Sequence, residues 1–167
     1  MPDDRLAVFY KRLSAVTLAC SALVFGGSVL AGNSRASSGA QVSYVCSAVD
    51  KQFIQTVSTN MVQLGYWSDS LRDQSADPWT VVKQARSEAG QVSATDPEDR
   101  TLHATRDLLT SMFLEYSRAV ALTAKGSDPS QHMANAWRLA NASHKLLLGA
   151  QAGLAAQGCD VSPLLSS

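Results

Sequence analysis

From residue 42 onward, apolar side chains recur every three or four positions, the spacing that lines one face of an α-helix. The first stripe spans about residues 42–71 and carries Val42, Cys46, Val49, Phe53, Val57, Met61, Leu64, Trp67 and Leu71. A shorter stripe over about 78–89 carries Trp79, Val82, Ala85 and Ala89, then descends through the polar sequence SEAGQVSAT. The third, over about 97–125, contains Leu102, Leu109, Met112, Tyr116, Val120 and Thr123. The fourth, over about 129–157, contains Met133, Trp137, Ala140, His144, Leu147, Gln151 and Leu154, with small alanines between them. Strand patterns are missing throughout, so the expectation is an all-α domain of four helices, the second one short.

Asp-Pro occurs three times, at Asp77-Pro78, Asp96-Pro97 and Asp128-Pro129, and each pair reads as a helix start. Aspartate at an N-cap accepts a bond from an orphaned backbone N–H, and proline at the first helical position lacks only a donor that had no partner. Gln131 stands three residues after Asp128, as a capping box requires, while Gly126 and Gly158 suit helix ends. Short connections between the four helices favour antiparallel neighbours, hence an up-down-up-down four-helix bundle over residues 42–160 with a tail at 161–167.

A different pattern precedes this domain. Lys11 and Arg12 stand before the uncharged run LSAVTLACSALVFGGSVLAG, followed by the loose sequence NSRASSGAQ. A basic start and an apolar run describe an export signal, with Val29 and Ala31, or Ser38 and Ala40, offering small residues for cleavage. About 20 apolar residues also suffice to cross a bilayer, so residues 1–32 read either as a signal peptide or as a membrane-anchoring transmembrane helix, with 33–41 as spacer. Contact with a membrane would then be confined to residues 13–32. Either reading puts the domain outside the cytoplasm, secreted or anchored.

That compartment changes the meaning of Cys46 and Cys159. In an oxidising setting two cysteines pair, and this pair would close one loop around nearly the whole domain. Chain entropy gives such a closure an upper value of about 4 to 5 kcal/mol. An up-down-up-down course brings the start of the first helix and the end of the fourth together, which a bridge with Cα atoms about 5.5 Å apart requires. Charge narrows the partners: from Gln41 onward there are ten Lys and Arg against twelve Asp and Glu. No basic face exists for a phosphate backbone, so nucleic acid is not an expected partner.

Counting from the two cysteines, Met61 and His144 each lie fifteen residues along their helices, about 22 Å above the bridge. A thioether and an imidazole at one height are what a haem between two helices would need, although no C-x-x-C-H attachment is present and ordinary packing accounts for both residues. Haem is therefore an alternative, with no cofactor as the main expectation. Higher up, Tyr66, Trp67, Trp79, Tyr116 and Trp137 converge on the end distant from the bridge. Rings with polar tips there either plug the bundle or line a site for an apolar ligand or partner.

Other chemistry is thin. His103, His132 and His144 fall at different heights and cannot share one metal in this topology. E-x-x-H, H-E-x-x-H, G-x-S-x-G and glycine-rich phosphate loops are missing. Glu115 is expected to pair with Arg118 three residues later, and the sequon at Asn141 falls mid-helix. With no catalytic signature, the expectation is a non-catalytic interaction module of the cell envelope or extracellular space, binding an envelope protein. The alternative is a carrier of a small apolar ligand or haem.

Overall fold

The computed structural model describes residues 45–166, all of them helix or connection with no strand. The helices are α1 (Ala48–Arg72), α2 (Pro78–Ala94), α3 (Arg100–Ala124), α4 (Ser130–Ala156) and the short α5 (Ser162–Leu165). The apolar run 13–32 and the spacer lie outside the described residues. Among the described residues, no helix is long and apolar enough to cross a membrane.

α1 begins six residues later than its apolar spacing suggests, because a capping box fixes its start. Ser47 Oγ accepts from the N–H of Asp50, and Asp50 Oδ2 accepts in return from the N–H and hydroxyl of Ser47. Cys46 therefore precedes the helix. α2 starts as expected, with Asp77 as N-cap and Pro78 in the first turn. It continues well past Ala89, since Glu88, Ala89 and Val92 extend its buried line through the stretch that reads as polar.

α3 departs from the Asp-Pro rule. Its N-cap is Asp99, whose Oδ1 accepts from the N–H groups of Thr101 and Leu102, while Pro97 is buried in the connection. At α4 the N-cap is Pro129, without a side-chain cap bond, and Asp128 just before it accepts from the N–H of Ser130 at 2.9 Å, so the third Asp-Pro lies one residue ahead of the start it was expected to cap. Gln131 is exposed there, and the reciprocal bond of a capping box does not form.

Three helices end in the same hydrogen-bond pattern, a Schellman turn with a left-handed residue after the C-cap. In α3 it is Gly126, φ 71°, with Ser127 N–H bonding Leu122 O and Gly126 N–H bonding Thr123 O. In α4 it is Gly158, φ 86°, and the following N–H, that of Cys159, bonds Leu154 O at 2.8 Å. The helix terminator thus places the second cysteine. In α1 the left-handed residue is Gln74, φ 57°, where a side chain is normally disfavoured.

Phe53 and Val57 of α1, Val81 and Val92 of α2, Leu102 and Phe113 of α3 and Leu147 of α4 are each at most 2% exposed and form the centre of the core. Burying one such side chain is worth about 1.5–3 kcal/mol. α2 with α3, and α3 with α4, run in close backbone contact, whereas α1 approaches α2 at far fewer positions and scarcely approaches α4 along its length. Besides its buried Phe53, Ile54, Val57 and Leu71, α1 is held by discrete ties. At its foot are the bridge and Asp50, at mid-length Asn60 Nδ2 donates to Glu88 O at 3.4 Å, and near its top the hydroxyls of Ser68 and Tyr116 share a 2.8 Å bond.

α4 also sits rotated from its apolar stripe. Its buried line is Ala136, Ser143, Leu147 and Leu154, while Met133, Ala140, His144 and Gln151 are half-buried and Trp137 is exposed. α3 takes the shoulder carrying His132 and Asn135, through Glu115. The last residues, expected as a tail, form α5, which packs on α1 and α4 and buries Leu164 beside Val161.

Candidate functional site

At one end, Cys46 and Cys159 form a disulfide with Cα atoms 5.2 Å apart, and the N–H of Cys46 donates to Gln157 O at 2.9 Å. Asp50, fully buried, lies beside it. Besides its two bonds from Ser47, its Oδ1 accepts from the N–H groups of Glu98, 2.9 Å, and Asp99, 3.1 Å. One carboxylate therefore ties the start of α1 to the connection between α2 and α3. Cys46, Asp50 and Cys159 bring three potential metal-ligating atoms within 4.8 Å of one another, but both sulfurs are spent in the bridge and the carboxylate in hydrogen bonds. Such a disulfide belongs to an oxidising environment.

Beside the bridge an open concavity of about 440 Å³ separates Lys51, Ile54 and Ser58 of α1 from Gly158, Asp160 and Pro163. Periodicity did not point to it, because one wall is the segment after the last helical stripe, which runs from Gly158 into the residues read as tail at Pro163.

The five aromatic residues expected at the end distant from the bridge divide into two kinds. Tyr116 is 5% exposed, its hydroxyl bonded to Ser68, and Trp67 is half-buried with its indole Nε1 sealed from solvent and unpaired. These two close the core. Tyr66, Trp79 and Trp137 are 63%, 43% and 46% exposed, one on each of α1, α2 and α4. Tyr66 meets Trp67 edge to face with centroids 5.2 Å apart, the one ring pair among the described residues. Lys125, just past α3, holds its ammonium 5.9 Å from the centroid of Trp79, a cation–π contact linking the end of α3 to the start of α2.

Close to this end Glu115 of α3 gathers three partners, of which the sequence suggested only Arg118. Its Oε1 accepts from Arg118, while Oε2 faces His132 Nδ1 at 2.7 Å and Asn135 Nδ2 at 3.5 Å, both on α4. The His132 bond, aided by Arg118 and Asn135, holds the Glu115 carboxyl below its usual range despite partial burial. An ionised carboxylate only accepts, so His132 Nδ1 donates to Glu115. The geometry places no hydroxyl or thiol against His132 among the described residues. A contact between residues seventeen positions apart on different helices leaves no periodic mark.

Met61 and His144, the potential haem ligands, are both half-buried, on α1 and α4. Those helices scarcely approach each other, and the structure adds no further bond to either side chain.

Glu88 is a titratable group that the sequence did not flag. It is 1% exposed on α2, its Oε1 accepts from Gln84 Nε2 at 3.3 Å, and its Oε2 has no partner. Burial pushes its pKa up to about 7, only partly offset by the Gln84 bond.

No protein-family model, no curated protein and no solved structure matches this chain.

Proposed function

We propose that this protein is an exported, non-catalytic interaction module, an up-down-up-down bundle tied by the Cys46–Cys159 bridge, that engages a partner of the cell envelope or extracellular space through its aromatic end. The observation that carries the reading is the division among the rings. Trp67 and Tyr116 already close the core, so Tyr66, Trp79 and Trp137 are exposed beyond what packing requires. Exposed Trp and Tyr are the residue types that dominate binding hot spots. The antiparallel course is supported by the bridge and Asp50 at one end and by the Ser68–Tyr116 and Lys125–Trp79 contacts at the other. The signal-like sequence at residues 11–32 supports export, either with cleavage or with that segment kept as an anchor.

The test starts with the intact mass of protein recovered from its own exported or membrane fraction, under native and denaturing conditions. A cleaved or retained N-terminus, two protons fewer for the bridge and no bound small molecule support the module. Photo-crosslinking from position 79 should then capture a partner, and Tyr66→Ala with Trp137→Ala should abolish the capture while leaving the helical spectrum unchanged. A native mass excess that vanishes on denaturation would favour instead the carrier of a small apolar ligand or haem at Met61 and His144.

A further inference from the structure

A carboxylic acid buried without a cation stands out in a domain whose other fully buried acid, Asp50, is saturated with donors. Glu88 has neither charge nor complete hydrogen bonding around it. On its own helix Gln84 supplies one donor, and Lys83 and Arg86 are exposed. Across the seam, α1 offers Asn60, which is 4% exposed and bonds the backbone carbonyl of Glu88 rather than its carboxyl. From Gln52 to Ser68 α1 has no charged residue, and Tyr66, its one titratable side chain there, is 63% exposed.

On the other side, α3 turns Leu102, Thr105, Leu109 and Phe113 inward. Its charged groups are engaged elsewhere: Arg106 with Asp96 and Asp107, His103 with Arg106, and Arg118 with Glu115, while Arg100 is exposed. α4 does not pack closely on α2, and its Arg138 and Lys145 are exposed, its His132 is held by Glu115, and its His144 is half-buried. No cation is in place to receive a negative charge at Glu88. An ionised, unpaired carboxylate in the interior costs several kcal/mol, which the protein avoids by keeping the proton or by bringing water to the group.

Of the helices around Glu88, α1 is the less closely packed against α2. α2 and α3 are in close contact along their lengths, but α1 meets α2 sparsely, and its mid-length tie is the 3.4 Å bond from Asn60. The foot of α1 is fixed by the disulfide and by Asp50. We propose that Glu88 is a proton-operated latch: protonated, it lets α1 lie against α2, and ionised, it releases the upper part of α1 while the bridge retains its foot. The released state would uncover the inner face of α1 from about Val57 to Leu71. This device stands apart from the aromatic-end reading and does not depend on it.

The sign follows from linkage. The closed form binds the proton more tightly, with a pKa near 7, than an opened form in which the group has its usual value of 4.5. Opening is therefore suppressed at low pH, rises about tenfold per pH unit between those two values, and levels off above the higher one.

The experiment uses the full disulfide-bonded chain. Residue-resolved hydrogen exchange between pH 5 and 8, corrected for intrinsic rates, should show protection falling in the upper half of α1 while α2, α3 and α4 keep theirs. Trp67 emission should shift to the red over the same range, and Glu88→Gln should hold α1 protected at every pH. Constant α1 protection, equal loss in all helices, or an unchanged pH response in Glu88→Gln would overturn the proposal. If that variant does not fold, carbon-detected titration of the Glu88 carboxyl in the unmodified protein decides. A midpoint near 7 coincident with the Trp67 shift supports the latch, and an ordinary midpoint near 4.5 overturns it.

Discussion

Opening the Cys46–Cys159 bridge should cost this domain a large share of its stability, almost all of it through the unfolded chain. The two cysteines are 113 positions apart, and the chain-entropy relation for a loop of that size gives about 4.8 kcal/mol at 25 °C. Natural domains are stable by only about 5–15 kcal/mol, so the loss is a third or more of the total. For a domain of this length an unfolding entropy of about 0.25 kcal/mol/K converts it to a fall in Tm of roughly 15–20 °C.

Two perturbations separate the parts. Reduction under native conditions opens the loop and keeps both sulfurs, whereas Cys46→Ala with Cys159→Ala also removes two buried side chains, adding about 1–2 kcal/mol. Both should retain the native helical spectrum at 25 °C, since Cys46 N–H still bonds Gln157 O and the Schellman turn still places residue 159. In urea, the opened forms should show lower midpoints and steeper slopes, because the unfolded chain expands. A Tm shift below roughly 5 °C with an unchanged slope would refute the reasoning and mean that the unfolded chain is held compact by something else.

Gln74→Gly should raise stability by about 0.5–1 kcal/mol in urea unfolding, because φ 57° favours the residue without a side chain. Asp50→Asn should cost about 2–4 kcal/mol, since an amide turns donors toward backbone N–H groups that now face a carboxylate. Glu115 has a depressed pKa, so its stabilising contribution is complete above its usual 4.5 and is lost as pH falls through its lower folded value. Glu115→Gln should therefore flatten the acid limb of the Tm–pH curve, and a limb of unchanged steepness would count against the His132 bond. Trp79→Ala should change stability by less than about 1 kcal/mol, measured by thermal melting, because the ring is substantially exposed.

What the sequence made legible is what repeats or punctuates. Four stripes at helical spacing gave four helices, Asp77-Pro78 opened one, and Gly126 and Gly158 closed two. Local signals misled where two of them competed. Asp96-Pro97 and Asp99 stand three residues apart, and Asp99 won because the backbone before it turns its N–H groups to Asp50. Gln74 was invisible as a terminator because nothing in a glutamine advertises a left-handed backbone. The depth of Glu88 was hidden for another reason: a charged residue in a periodic pattern reads as an outward position, and only the facing helix decides otherwise. The rotation of α4 belongs here too, since which shoulder of an apolar stripe faces inward depends on which neighbour arrives. Of the five candidate rings, the sequence could not sort the buried Tyr116 and the sealed Trp67 indole from the three exposed ones.

The bridge also makes the described domain a ring. A protease that cuts once in the connection 73–77, 95–99 or 125–129 produces two backbone segments that remain one molecule, since the first and last helices are joined covalently. Such a nick would escape notice on a nonreducing gel and appear as two bands only after reduction. In an oxidising compartment such clipping would leave each helix at hand to re-form its contacts, and loss of the domain would require a second cut or a reductant.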